Sequence, residues 1–318
     1  MKDEREEKSD LFHDSWKRLS WVEQRATEVS QLTAPWMNLP RFAPFAVDVD
    51  EGSARDGHIE FTASVTELPS VPAPVNFLLG NIVTDARSCL DMSVDALWKF
   101  YELDRRGIAV QFPLEDDFPQ KRIEDKRLAK FLSRLDGRFV EAIENAQPGY
   151  TGGLLDVPSN LSAVFIRNLS NANKHRNITP VVVSTVLAVL GTTARGLQLD
   201  CLDGDKREGL PPLNFRVVYD SDQHSREDMR RYISALAGDS TSPLQIGFQQ
   251  RLLIDRHEIY IKPPRFEGEK MPWRIELQEL LTKVPAYVRL TLRNLNRVHQ
   301  VIQEGGDKFY LLDQDATL

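Results

Sequence analysis

Residues 80–97, GNIVTDARSCLDMSVDAL, constrain the fold more than any other stretch. On a helix turning about 100° per residue, Ile82, Val83, Ala86, Cys89, Leu90, Val94 and Leu97 occupy much of one side. Thr84, Arg87, Asp91 and Asp95 fall within about 80° of one another on the other. Such a helix is core-like apart from one narrow polar stripe, so it is expected inside a helical core rather than on its surface. It should begin past Pro74 and run to about Arg106, where Gly107 is well placed to end it.

The flanking sequence supplies partners. Phe12, Trp16, Leu19, Val22, Ala26 and Val29 recur at helical spacing and predict an amphipathic helix over 3–32. FAVDVD (45–50) and HIEFTASV (58–65) alternate apolar and polar residues around EGSARDG, as a β-hairpin would. PSVPAP (69–74) reads as a linker and QFPLEDDFP as a loop. Further helical patterns cover 121–146, ended by QPGYTGG, and 158–175. After His175 the character changes. TPVVVSTVLAVLG, GLQLDCLD, FRVVYD, LQIGFQQRLLID and HEIYIK read as strands. SREDMRRYISALAG reads as a short helix with Ser225 as its N-cap. A last helix over about 274–304 contains Pro285, which should kink or split it.

This pattern predicts a mixed α+β protein. A helix and hairpin over 1–73 precede a helical core over 74–178, followed by a strand-rich part over 179–318 with a C-terminal helix. The three could also share one continuous core. The C-terminal strands suit an antiparallel sheet with the last helix covering one face.

At 318 residues, with 41% apolar and 27% charged side chains, the chain can bury a substantial core. A net charge of −7 argues against a protein that coats nucleic acid over its whole surface, though not against a local basic groove. Cys89 and Cys201 form no metal-type pair or disulfide framework, which suits packed thiols in a reducing cytoplasm. The apolar run PVVVSTVLAVLG is shorter than the roughly 20 residues that cross a bilayer, and MKDEREEKSD lacks the apolar stretch of a secretory signal. No membrane anchor is expected. There is no P-loop, dinucleotide glycine fingerprint or H-E-x-x-H, so no metal or other cofactor is expected.

Two polar constellations stand out. Arg87 and Asp91 lie four residues apart and can pair directly. On a wet surface such a pair contributes about 0.3–0.5 kcal/mol; in a cleft it would orient the guanidinium toward a further partner. In NLSNANKHRN, Asn168, Asn171 and His175 share a helix face beside Arg167, with Lys174 and Arg176 flanking the histidine. A cationic helix C-terminus is also what the helix dipole favours. The functional reading is an anion or phosphate site, with His175 able to move a proton near neutral pH.

GNIVTDARSCLDM (80–92) and NANKHR (171–176), with QFP (111–113) and AQPGY (146–150) between them, resemble a group of bacterial proteins. That group carries G-D-x-x-H-N-L-R-S-A-L-D-H on a helix and a later N-x-x-K-H-R. The helix also resembles the motif helix of the HEPN superfamily, many of whose members cut RNA without metal through an Arg and a His separated by four to six intervening residues. In that chemistry the Arg holds the scissile phosphate, and the His assists attack by the ribose 2′-hydroxyl or protonates the leaving oxygen. Here Arg87 is retained, but Met92 stands where the bacterial group carries its histidine, Thr84 where a second histidine is usual and Asp85 where an asparagine is usual. Methionine transfers no proton.

The resemblance implies a HEPN-like helical core and a nucleic-acid context, such as stress response or phage defence, with RNA as partner. The leading expectation is a non-catalytic binding or scaffolding protein, with binding residues Asp91, Asn171, Lys174 and Arg176. The first alternative is a metal-independent endoribonuclease with Arg87 and His175 as its catalytic pair. The second is a structural or oligomerisation protein, for which a homodimer is one arrangement.

Overall fold

The computed structural model describes residues 11–37, 43–55, 57–66, 70–104, 106, 108, 111–149, 160–175, 181–203, 212–237, 242–254, 260–261, 271–272 and 275–306. Within these, only the backbone is described at 36–37, 53–55, 172–175, 184–186, 260–261 and 271–272. The fold is α+β. Its helices are α1 (His13–Met37), α2 (Ala73–Phe100), α3 (Phe118–Glu124), α4 (Lys126–Leu132), α5 (Gly137–Asn145), α6 (Leu161–His175), α7 (Arg226–Ala235) and α8 (Leu277–Gln303). Its strands are β1 (Phe45–Arg55), β2 (His58–Val65), β3 (Val181–Thr192), β4 (Leu197–Cys201), β5 (Leu213–Tyr219), β6 (Leu244–Ile254), β7 (Tyr260–Ile261) and β8 (Met271–Pro272). No helix among the described residues is long and apolar enough to cross a membrane.

The chain divides into two compact units. A helical unit takes Met1–Leu32, Pro72–Pro180 and Ile254–Leu318; a strand-rich unit takes Thr33–Val71 and Val181–Leu253. The chain thus enters the strand-rich unit twice and returns to the helical unit each time. The divisions read from sequence at 73/74 and 178/179 fall close to two of these crossings. The other two crossings, at Thr33 and Ile254, lie inside segments that each read as one part.

In the helical unit α2 packs against α6 and α8, and α8 also meets α5 and α6. Ile82, Val83, Ala86, Cys89, Leu90, Val94 and Leu97 are all fully buried, as the helix's apolar circumference requires. On α1, Leu19, Val22, Ala26 and Val29 are buried and Trp16 half-buried. The expected start of this helix at 3–10 lies outside the described residues.

α2 stops at Phe100, short of the expected Arg106. Glu102 adopts a left-handed backbone (φ 51°), and the Leu103 amide reaches back to the Trp98 carbonyl at 3.0 Å. This is the Schellman geometry usually built on glycine, and here a glutamate supplies it. The expected single helix over 121–146 is three helices. Asp117 accepts from the Gln120 amide, Asp125 from the Arg127 and Leu128 amides, and Asp136 from the Arg138 amide. Each carboxylate caps a new N-terminus, so Asp125 and Asp136, which fall inside the expected helix, act as breaks. Conversely, α8 runs as one helix across Pro285. Proline removes one backbone donor, but Leu281, Val284, Val288 and Leu292 keep the buried face continuous through it.

In the strand-rich unit the hairpin forms as its alternation predicts, with Phe45 opposite Val65 and Val49 opposite Phe61. β2 then pairs antiparallel with β5, and β5 with β4, giving the order β1-β2-β5-β4. Ile59, Phe61 and Ala63 share one buried face with Phe215, Val217 and Tyr219. Phe61 stacks on Phe215 at 5.3 Å, and Met229 and Ile233 of α7 join this core. Ser225 caps α7 through a reciprocal box with Asp228. β3 and β6 pair separately.

Tyr287, on α8, is buried and donates its hydroxyl to the Ala146 carbonyl at 2.6 Å. Burial pushes its pKa up, so it serves as a neutral donor. Tyr287→Phe is expected to cost about 1–3 kcal/mol in chemical denaturation, because the carbonyl then loses its donor inside the core. An unchanged unfolding midpoint would show that the bond contributes nothing.

Candidate functional site

The polar stripe of α2 converges on the loop 111–116. Arg87 donates to the Phe112 carbonyl at 2.6 Å, and the Phe112 amide donates to Asp91 at 3.0 Å. Arg87 also pairs with Asp91 at 3.2 Å. The two side chains therefore grip both polar groups of one peptide residue, much as a neighbouring strand would. Arg87 is only 13% exposed and Asp91 25%. Both lose much of their contact with water, and this arrangement returns hydrogen bonds to them.

Other side chains complete the grip. Gln147, itself buried, donates to the Pro113 and Ile143 carbonyls and accepts from the Glu115 amide at 2.9 Å. Arg167 donates to the Leu114 carbonyl at 3.3 Å and pairs with Asp116 at 3.0 Å. The buried Asn160 amide donates to the Asn145 and Gln147 carbonyls at 2.8 Å, which fixes the turn that carries Gln147. Phe112, Pro113 and Leu114 can consequently be buried although they belong to no helix or strand.

Beside this loop lies a cleft of about 340 Å³, lined by Arg87, Gln111, Phe112, Pro113, Leu114, Glu115, Asp125, Arg127, Leu128, Phe131, Arg167 and Asn171. It brings Arg87 together with Asn171, as the packing of α2 on α6 requires. The side chains of Lys174 and His175 and the whole of Arg176 lie outside the described residues, although the α6 backbone runs to His175. Met92 lines a different hollow, of about 450 Å³, with Phe12, Ser15, Asp95, Ala96, Lys99 and Phe100. Arg87 and Met92 thus line separate depressions. Asp95, the last residue of the stripe, pairs with the largely exposed Lys99 at 2.7 Å.

Asp85 lies outside the polar stripe read from sequence. It is buried, and two arginines of α1 converge on it: Arg18 at 2.9 Å, and Arg25 in direct contact with the other carboxylate oxygen. The charge at this position therefore ties α1 to α2. The sequence signal was present, since Arg18 and Arg25 lie seven residues, or two turns, apart on one face of the first helix. The role of Gln147 had a weaker signal, its place in AQPGY.

Cys89 faces the helical core, where burial pushes its thiol up to about 12. No cluster of histidine, cysteine and acidic side chains that could hold a metal occurs among the described residues.

Arg87→Ala is expected to cost about 3 kcal/mol, because Asp91 and the Phe112 carbonyl both lose a charged partner. Asp91→Ala should cost a similar amount, and the double mutant clearly less than the sum in a denaturation cycle. Additive losses would show that the two side chains act independently.

Cys89 should resist a thiol reagent at neutral pH in the native protein and react on unfolding. The unfolded thiol titrates near 9.0 and the folded one near 12. Its contribution to stability is therefore complete below about pH 9 and falls as pH rises toward 12. Rapid native labelling at residue 89, read by peptide mass mapping, would contradict this.

Comparisons with protein-family models, with curated proteins and with solved structures found no match to this chain.

Proposed function

We propose that this chain is a HEPN-like, non-catalytic binding protein of the cytoplasm, associated with nucleic acid in stress response or phage defence. The observation that carries the reading is the commitment of Arg87. Its guanidinium is held by Asp91 and by the Phe112 carbonyl, so it is already spent on structure. Met92, at the position of the motif histidine, has no proton to transfer and lines another hollow. Binding is supported by what remains beside the clamp: a polar cleft with Arg127 and Asn171 exposed on its wall. Lys174 and Arg176 follow Asn171 closely in the chain.

The test combines fluorescence anisotropy on labelled single-stranded and structured RNA with gel analysis in chelator. The expected result is salt-sensitive binding without cleavage. Lys174→Ala, Arg176→Ala and Arg127→Ala should each weaken binding across sequences, and each should lower the slope of log K against log salt by about 0.7. Cleavage that depends on His175 and leaves 2′,3′-cyclic phosphate ends would overturn the reading in favour of a metal-independent ribonuclease. Absence of both binding and cleavage, with a dimeric mass in light scattering, would leave an oligomerisation protein.

A further inference from the structure

The cleft beside the clamp holds two kinds of polar side chain. Arg87 and Arg167 are committed to backbone carbonyls and carboxylates. Glu115, Arg127 and Asn171 make no side-chain hydrogen bond or ion pair among the described residues, yet all three line the same cleft. Glu115 is the most constrained of them. Its backbone amide is fixed by Gln147 at 2.9 Å, the residue is half-buried, and its carboxylate has no donor among the described residues. Leu128 and Phe131 supply apolar wall beside it.

An ionised carboxylate only accepts hydrogen bonds, a guanidinium only donates, and a primary amide does both. A ligand that satisfies this set presents an N–H donor group to Glu115, an anionic or acceptor group to Arg127, and a flat or apolar body to the wall. An amino-bearing nucleotide has all three. The N4 amino group of cytosine is a donor that carboxylates accept from, and its phosphate suits arginine. Uracil has the same ring size but places the O4 acceptor where cytosine places N4–H₂. Against a carboxylate that oxygen is repelled.

We propose that Glu115 reads the bound strand, favouring cytosine over uracil, while Arg127 holds the adjacent phosphate. This rests on the nucleic-acid reading above and adds base selectivity to the same cleft. Unstacked bases of single strands are available for such edge recognition, whereas duplex RNA hides them.

The experiment measures binding of the full chain to labelled oligo(C) and oligo(U) RNA of equal length, for wild type, Glu115→Gln and Arg127→Ala. Wild type should bind oligo(C) about tenfold more tightly, the scale of one good base contact. Glu115→Gln should abolish the preference, because glutamine can donate to O4 as readily as accept from N4. Its thermal melting should stay unchanged, since the Gln147 bond goes to the backbone. Arg127→Ala should weaken both oligomers equally and keep their ratio. Equal binding of the two oligomers by wild type, or a preference that survives Glu115→Gln, overturns the base-reading role and leaves the binding reading standing. No binding of either oligomer overturns both.

Discussion

A segment that belongs to no helix or strand can enter a protein core only if its amides and carbonyls find partners there. Loop 111–116 meets that condition through side chains. Phe112 is held by Arg87 and Asp91, Pro113 and Glu115 by Gln147, and Leu114 by Arg167. These partners come from α2, from the turn after α5 and from α6. The loop therefore acts as a shared element against which the three regions are registered. The polar stripe on a helix otherwise built for burial follows from this need. The same commitment bears on function, because a guanidinium already held on two sides is a poor candidate for gripping a substrate phosphate.

Much of the architecture was legible from periodicity. The α+β class, the hairpin, the capped helix α7 and the burial of the α2 face all follow from spacing and caps. What was not legible involved acids used as hydrogen-bond acceptors for backbone. Asp125 and Asp136 look like surface charge in a helical pattern and Asp117 like part of a loop, yet each starts a helix. Glu102 was equally silent, since nothing in its chemistry marks it for a left-handed conformation. The β2–β5 pairing was also beyond sequence reading, because alternation identifies strands but not which distant strand each will meet.

For the candidate site, sequence located the polar groups but not their employment. Arg87 and Asp91 were visible as an i,i+4 pair. Their shared hold on the Phe112 peptide was not, because backbone partners leave no trace in residue type. Asp85 is a sharper example. In the sequence it stands out only as a departure from a motif asparagine, whereas in the fold it gathers Arg18 and Arg25 from another helix. A buried carboxylate between two guanidinium groups keeps its charge satisfied, and removing either arginine would weaken the seam between α1 and α2.

The interleaved path of the chain sets an order on synthesis. Every segment of the strand-rich unit has been made once Leu253 emerges, so its sheet can close while translation continues. The helical unit is different. Its first helix precedes the strands of the other unit in the chain, whereas α8, which packs on α2, α5 and α6, follows them. Until α8 arrives, α2 carries an uncovered apolar face. The nascent chain must therefore hold a half-built helical core open across the whole time taken to make the strands, which places its period of greatest exposure to aggregation and to chaperones between the making of α6 and the arrival of α8.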